Sequence, residues 1–217
     1  MTKKRLENIW YYYKIHIIIV AILLIALYNI ITTYNNRKEQ ILQIGTVNIT
    51  LDNKAKATDY SDNFKKSLHI NSPKKEIFIY DSINLSTRSG GKITMNSNEQ
   101  MRLVSYSHTN SLDVVLMDID AYKYMCKNGY LCNLEKLIKT NDPKIYKSLK
   151  NKLVSTKEVT NTTSKYSNYK CAIELSNIKV TRKSNTKNSK VYVGVISDSN
   201  KKEMSVKYIE YLNNLQL

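Results

Sequence analysis

Glycine and proline are scarce in this chain, at five and two of 217 residues. Lysine and asparagine are spread throughout, and the pattern reads as a compositional bias rather than as linkers or repeats. No unit recurs with a period of 20–50 residues, which excludes solenoids and propellers. Cysteine is rare too, at three, an odd number that cannot pair completely. Cys126 and Cys132 could close a short loop outside the cell, yet the C-x5-C spacing is not that of a zinc site, and His16, His69 and His108 are distant in sequence. The reading is small buried residues, with room for one bridge.

Catalytic signatures are missing as well. There is no G-x-S-x-G, no Walker loop and no H-E-x-x-H. Asp113, Asp118 and Asp120 do not match the spacing of a calcium loop, and Asp118 and Asp120 suit helix capping. Arg88-Ser89-Gly90-Gly91-Lys92 could hold an anion in a backbone nest, or simply turn the chain. The sequons at Asn48, Asn84 and Asn161 carry meaning only in a eukaryotic source. The expectation is a non-enzyme with no metal and no cofactor.

What is present is an uncharged run from Ile15 to Asn36, apolar without interruption from Ile17 to Leu27. About 20 helical residues cross a bilayer core, so the run is long enough to span. Trp10 to Tyr13 stand before it, and Tyr28 and Tyr34 stand near its end, as rings do at the headgroup level. Lys3, Lys4, Arg5 and Lys14 precede it, which places the N-terminus inside; Arg37 and Lys38 follow it. No A-x-A-like cleavage site follows, and no cysteine is placed for lipid attachment. The expectation is an uncleaved signal anchor, with residues 1–14 cytoplasmic, 15–36 in the bilayer, 37–43 a linker and 44–217 an extracellular domain.

That outer part carries 30 Lys and Arg against 17 Asp and Glu. The excess attracts anionic partners such as wall polymers or headgroups. No dense basic block interleaved with aromatics occurs, so nucleic acid is not expected.

Beyond the linker, strands are expected at Ile44–Leu51, Glu76–Tyr80, Leu112–Met117, Lys170–Leu175 and Lys190–Ile196, with a hairpin arm at Lys92–Met95. Helices are expected from Tyr60 to His69 behind Thr58 or Asp59, from Glu99 to Ser107, after Asp118, near Leu134, from Asp142-Pro143 to about Val154, and from Lys201 to Leu215 behind Asp198-Ser199-Asn200. Leu112–Met117 is apolar without alternation, as a strand buried on both faces reads. Strand–helix alternation predicts α/β with a mainly parallel sheet.

Two segments carry a resemblance. Glu99–Ile138 runs as a helix, a Ser-Leu-Asp-Val-Val-Leu strand, an acidic-aromatic helix and Asn128-Gly129-Tyr130-Leu131-x-Asn133-Leu134. Val191–Leu212 runs as a strand, an Asp-Ser-Asn helix start and a helix. Together they resemble the extracellular solute-binding proteins of the type 2 periplasmic-binding fold. The resemblance implies a membrane-anchored domain that binds a small polar solute for transport or sensing. Only about 50 residues, Lys139 to Lys190, remain for a second lobe, which is therefore reduced or missing. The alternative is a docking or structural component of a cell-envelope complex, with a transporter or envelope protein as partner. In open α/β sheets ligands sit beyond the carboxyl ends of the strands. Here those ends are Asp52, Asn53, Asp81, Ser82, Met117, Asp118 and Ser197.

Overall fold

A computed structural model of the chain describes residues 3–51, 54–89, 92–157, 168–175, 180–182 and 190–215. The chain divides into two compact units, Met1–Glu39 and Gln40–Leu217.

The first unit is dominated by one helix, α1 (Lys3–Asn35). Its Trp10–Asn35 portion is 26 residues long, with an 18-residue stretch of mean hydropathy 2.6; it is long and apolar enough to cross a membrane, and none of that stretch is buried within the protein.

The second unit is α/β. Its main sheet has six strands in the order β3-β1-β6-β10-β8-β7. These are β1 (Glu39–Val47), β3 (Lys75–Ile83), β6 (Val114–Met117), β7 (Leu153–Ser155), β8 (Lys170–Leu175) and β10 (Val191–Val195). Two small ribbons accompany it: β2 (Ile49–Leu51) with β9 (Val180–Arg182), and β4 (Ser86–Ser89) with β5 (Lys92–Met95). β1 and β6 pair in parallel, Ile44 opposite Val114 and Val47 opposite Met117. The Asn48 N–H donates to Ile83 C=O at 2.8 Å, so the C-terminal ends of β1 and β3 also lie side by side. β10, β8 and β7 each pair antiparallel with their neighbours. The expected parallel order thus describes one half of a mixed sheet. The segment that could have built a second lobe returns β7 and β8 to this same sheet instead.

Both faces are covered. On one, Val114, Leu116, Val193 and Val195 pack with Phe64 of α2 (Lys54–Ser67), Leu134 and Ile138 of α5 (Leu134–Asn141), Ile145 and Leu149 of α6 (Pro143–Leu149), and Tyr208, Ile209 and Leu212 of α7 (Lys202–Asn214). The Phe64 ring meets Tyr208 edge-on at 4.9 Å. On the other, Val47, Val115 and Met117 pack with Leu103 of α3 (Ser97–His108) and with Ala121, Tyr122, Met125 and Cys126 of α4 (Ile119–Lys127). β6 is buried along its whole length, as its unbroken apolar run predicted.

Several boundaries differ from expectation for local reasons. β1 begins at Glu39, within the expected linker, and the run to Leu51 is split at Asn48, whose φ of 60° is left-handed. Asparagine tolerates that region better than most residues, and the strand leaves the sheet there. α2 begins at Lys54, so Thr58 and Asp59 lie inside it rather than capping it. α6 ends at Leu149, because Leu153–Ser155 is taken into the sheet beside β8. α3 is capped by Asn96, and α5 by Asn133. α7 has Lys201 at its N-cap with no side-chain bond, because Asp198 points instead to His108. Gly129 takes a φ of 74° just after α4, the left-handed exit expected of it.

Candidate functional site

The residues expected to meet a ligand fall in different places. Asp52 and Asn53 lie outside the described residues. Ser82 lies in β3, where its backbone is described. Met117 is fully buried, its side chain part of the core beneath α4, so it presents nothing to a solute. Ser197 is at the opposite end of the sheet. β10 runs antiparallel to β6, with Tyr192 opposite Met117 and Val195 opposite Val114, so its C-terminal end meets the N-terminal end of β6. There Ser197 Oγ donates to Gly129 C=O at 3.1 Å, and its N–H to Tyr130 C=O at 2.9 Å.

Asp81 and Asp118 remain at one end, and a third residue organises that end. Asn48 Nδ2 donates to Asp118 Oδ1 at 3.0 Å and to Ser86 Oγ at 2.9 Å, while Asn48 Oδ1 accepts from the Ser86 N–H at 3.0 Å. Asp118 Oδ1 also accepts from the Ala121 N–H at 2.9 Å, capping α4. Asp81 Oδ1 accepts from Thr46 Oγ1 at 2.7 Å. The left-handed turn at Asn48 is what swings its amide over the strand ends. Thr46, Asn48 and Asp118 are all buried. These bonds tie the end of β1 to β4 and α4 through Asn48, and β1 to β3 through Thr46. Sequence reading missed Thr46, Asn48 and Ser86. The available signal was a short polar residue interrupting a β-branched run, Thr46-Val47-Asn48-Ile49-Thr50.

Two buried oxygens near this cluster in sequence have no hydrogen-bond partner among the described residues, Thr50 Oγ1 and Asn84 Oδ1. Thr50 follows Asn48 by two residues, and Asn84 follows Ile83, whose carbonyl accepts from Asn48.

The other end of β6 holds a second polar group. Asp113, 1% exposed, accepts from the Gln43 N–H at 2.8 Å and from Ser199 Oγ at 2.7 Å, with Lys201 Nζ at 3.6 Å. Beside it in sequence, His108 Nδ1 and Asp198 Oδ2 are 2.8 Å apart on the surface. Asp113 and Asp118 thus sit at opposite ends of one strand. Among the described residues no group of three or more His, Cys, Asp and Glu side chains could hold a metal.

The cysteines pair differently from their spacing. Cys126 and Cys171 Sγ atoms are 3.6 Å apart between α4 and β8, both buried thiols not joined in a disulfide. The hydrogen bond between them lowers the pKa of Cys126 to about 7 and, with burial, raises that of Cys171. Cys132 stands apart and burial raises it to about 11. Of the Arg88–Lys92 stretch, Ser89 pairs with Lys92 across the β4–β5 hairpin, and residues 90–91 lie outside the described residues.

On the edge strand β3, Phe78 is 39% exposed and begins a row of rings. Its ring is 4.6 Å from that of Tyr80, which is 4.8 Å from that of Tyr106. The Arg102 guanidinium lies 5.3 Å from the Tyr106 ring centre and its Nε donates to the Tyr106 hydroxyl at 3.1 Å. Comparison with protein-family models, curated proteins and solved structures finds no match to this chain.

Proposed function

We propose that this chain is a membrane-anchored docking module of a cell-envelope complex, non-enzymatic, with its N-terminus inside and its α/β domain outside. It uses a one-lobed form of the solute-binding type of fold. The observation that carries this reading is that polar side chains at the strand ends bond to one another, Asn48 with Ser86 and Asp118, and Thr46 with Asp81. A buried polar group already bonded gains little from a ligand and must first be released. A solute site also needs surrounding walls, and from the segment available for a second lobe β7 and β8 go into the main sheet. The succession of β10 and α7 on one core supports the fold reading, since the resemblance has a strand followed by a helix there. The basic excess of the outer part and Arg102 beside its ring row suit an acidic partner protein.

Solute binding is the second reading, favoured by the unpartnered Thr50 and Asn84 oxygens at those same strand ends. One experiment separates the two. The full-length chain is extracted with its anchor, its co-purifying envelope proteins are identified, and its thermal unfolding is followed with sugars, amino acids and peptides at millimolar concentration. A defined acidic partner and no solute-dependent shift are expected. A saturable rise in Tm with one solute would overturn the docking reading. Protease added to protoplasts should remove the domain, and a mature N-terminus near residue 35 would refute the anchor.

A further inference from the structure

α1 carries a second pattern beyond its length. Ile15, Ile18, Ile22, Ile25, Asn29, Thr32 and Asn36 recur at alternating intervals of three and four residues. That is the a/d spacing of a helix seam, with β-branched residues over its first half and amides and a hydroxyl over its second. The helix is continuous through the pattern to Asn35, and the Asn36 N–H still donates to Thr32 C=O at 3.0 Å. At about 100° per residue, Tyr28, Asn29, Thr32, Thr33, Asn35 and Asn36 fall within an arc of about 160°. Ile30, Ile31 and Tyr34 occupy the other side. The polar arc leads directly into the isoleucine row.

The Thr32 hydroxyl is satisfied within the helix, donating to Tyr28 C=O at 2.9 Å and Asn29 C=O at 3.0 Å. The Asn29 amide has no such partner among the described residues. It follows Ala26-Leu27-Tyr28 and precedes Ile30-Ile31, inside the 15–36 run read as membrane-spanning. Acyl chains can cover isoleucine but cannot bond an amide, and an unsatisfied polar group in hydrocarbon is costly. The partner must therefore present a donor and an acceptor at the same depth.

We propose that α1 pairs in parallel with α1 of a second copy of this chain along the Ile15–Asn36 seam, with the Asn29 amides bonded across it. A single-pass chain inserts in one orientation, so two copies are parallel and each residue of the seam meets its own counterpart. An amide is both donor and acceptor, so it complements itself. The isoleucines supply packing, and Asn29 sets the register, the role a lone seam asparagine takes in coiled coils. This rests on the reading of α1 as a membrane anchor.

The test uses the full chain in its native membrane, with one cysteine added at a time and disulfide formation driven by copper-phenanthroline. Thr32→Cys, Ile25→Cys and Asn36→Cys should give a disulfide-linked dimer. Ile31→Cys, Tyr34→Cys and the unmodified chain should not. In the Thr32→Cys background, Asn29→Val should weaken association about three- to thirtyfold, and Asn29→Gln should restore it. Linkage on the Ile31 and Tyr34 side, no linkage anywhere, or indifference to Asn29→Val would each overturn the pairing. Alkaline carbonate extraction is run on the same membranes. A chain that resists extraction but does not link keeps the anchor and loses the pairing, whereas release by carbonate refutes the anchor itself.

Discussion

Asp113 and Ser199 are 86 residues apart in sequence and 2.7 Å apart in space. The bond fastens the turn after β10 to the first residue before β6, and the same carboxylate accepts from the Gln43 N–H in β1. One buried anion thus holds three segments at the N-terminal end of β6, with Lys201 as its countercharge. Removing it leaves a backbone N–H and a hydroxyl without an acceptor.

Asp113→Ala is therefore expected to cost about 3 kcal/mol, and Ser199→Ala about 1 kcal/mol. Urea unfolding of the α/β unit, Gln40–Leu217, measures both. A loss below about 1 kcal/mol for Asp113→Ala would show that this carboxylate is not a structural tie.

Asn48 separates backbone from side-chain effects. Asn48→Gly keeps the left-handed turn and loses the bonds to Asp118 and Ser86, at a cost of about 1–2 kcal/mol. Asn48→Val also forces a β-branched residue to a φ of 60° and should cost distinctly more. Equal losses for the two variants would mean that the backbone conformation is incidental.

Val115 faces the core under α4, between neighbours that face the opposite core. Val115→Asp puts an unpaired charge there and should cost at least about 4 kcal/mol, enough to unfold most domains. A variant that keeps a cooperative unfolding transition at the native midpoint would contradict the two-sided burial of β6.

Alkaline pH should loosen the α7 side of the core. Burial raises Cys132 from 9.0 to about 11 and lifts Tyr208 well above its ordinary 10.0. Both groups hold their protons more tightly when folded. Their contribution is full below the unfolded values, and it is lost as pH rises from there through the folded ones. Tm is expected to fall between pH 9 and 11, within the window set by the two values for Cys132. Tyr208→Phe, which cannot ionise, should flatten the decline. A Tm independent of pH over this range would refute the assignment.

Oxidation distinguishes the cysteine pairs. With diamide, the Cys126 and Cys171 thiols, 3.6 Å apart, should give up two protons and two electrons to the diazene and form one disulfide. Peptide mapping of the oxidised protein should find Cys126 joined to Cys171, with Cys132 free. A Cys126–Cys132 bridge would show that sequence proximity outweighs the packing of α4 on β8.

The apolar helix, the α/β alternation, the buried strand at β6 and the left-handed exit at Gly129 were legible in the residues, because each follows from local periodicity or from one residue's own conformational freedom. Val114–Met117 announced burial on both faces by having no polar position to expose. The strand directions were not legible. Lys190–Ile196 read as a strand, but nothing in its residues says that it runs against β6, since antiparallel pairing is a property of the path between strands. That single reversal moved Ser197 to the end of the sheet opposite Asp118 and divided the expected site. The polar ties were equally hidden. Asn48 finds Asp118 at a separation of 70 residues, and Asp113 finds Ser199 at 86, distances at which only the folded sheet brings side chains within 3 Å. Sequence alone determined which segments are apolar enough to be buried or to cross a membrane; the tertiary structure decided which polar groups meet, because hydrogen bonds depend on positions that only the completed packing defines.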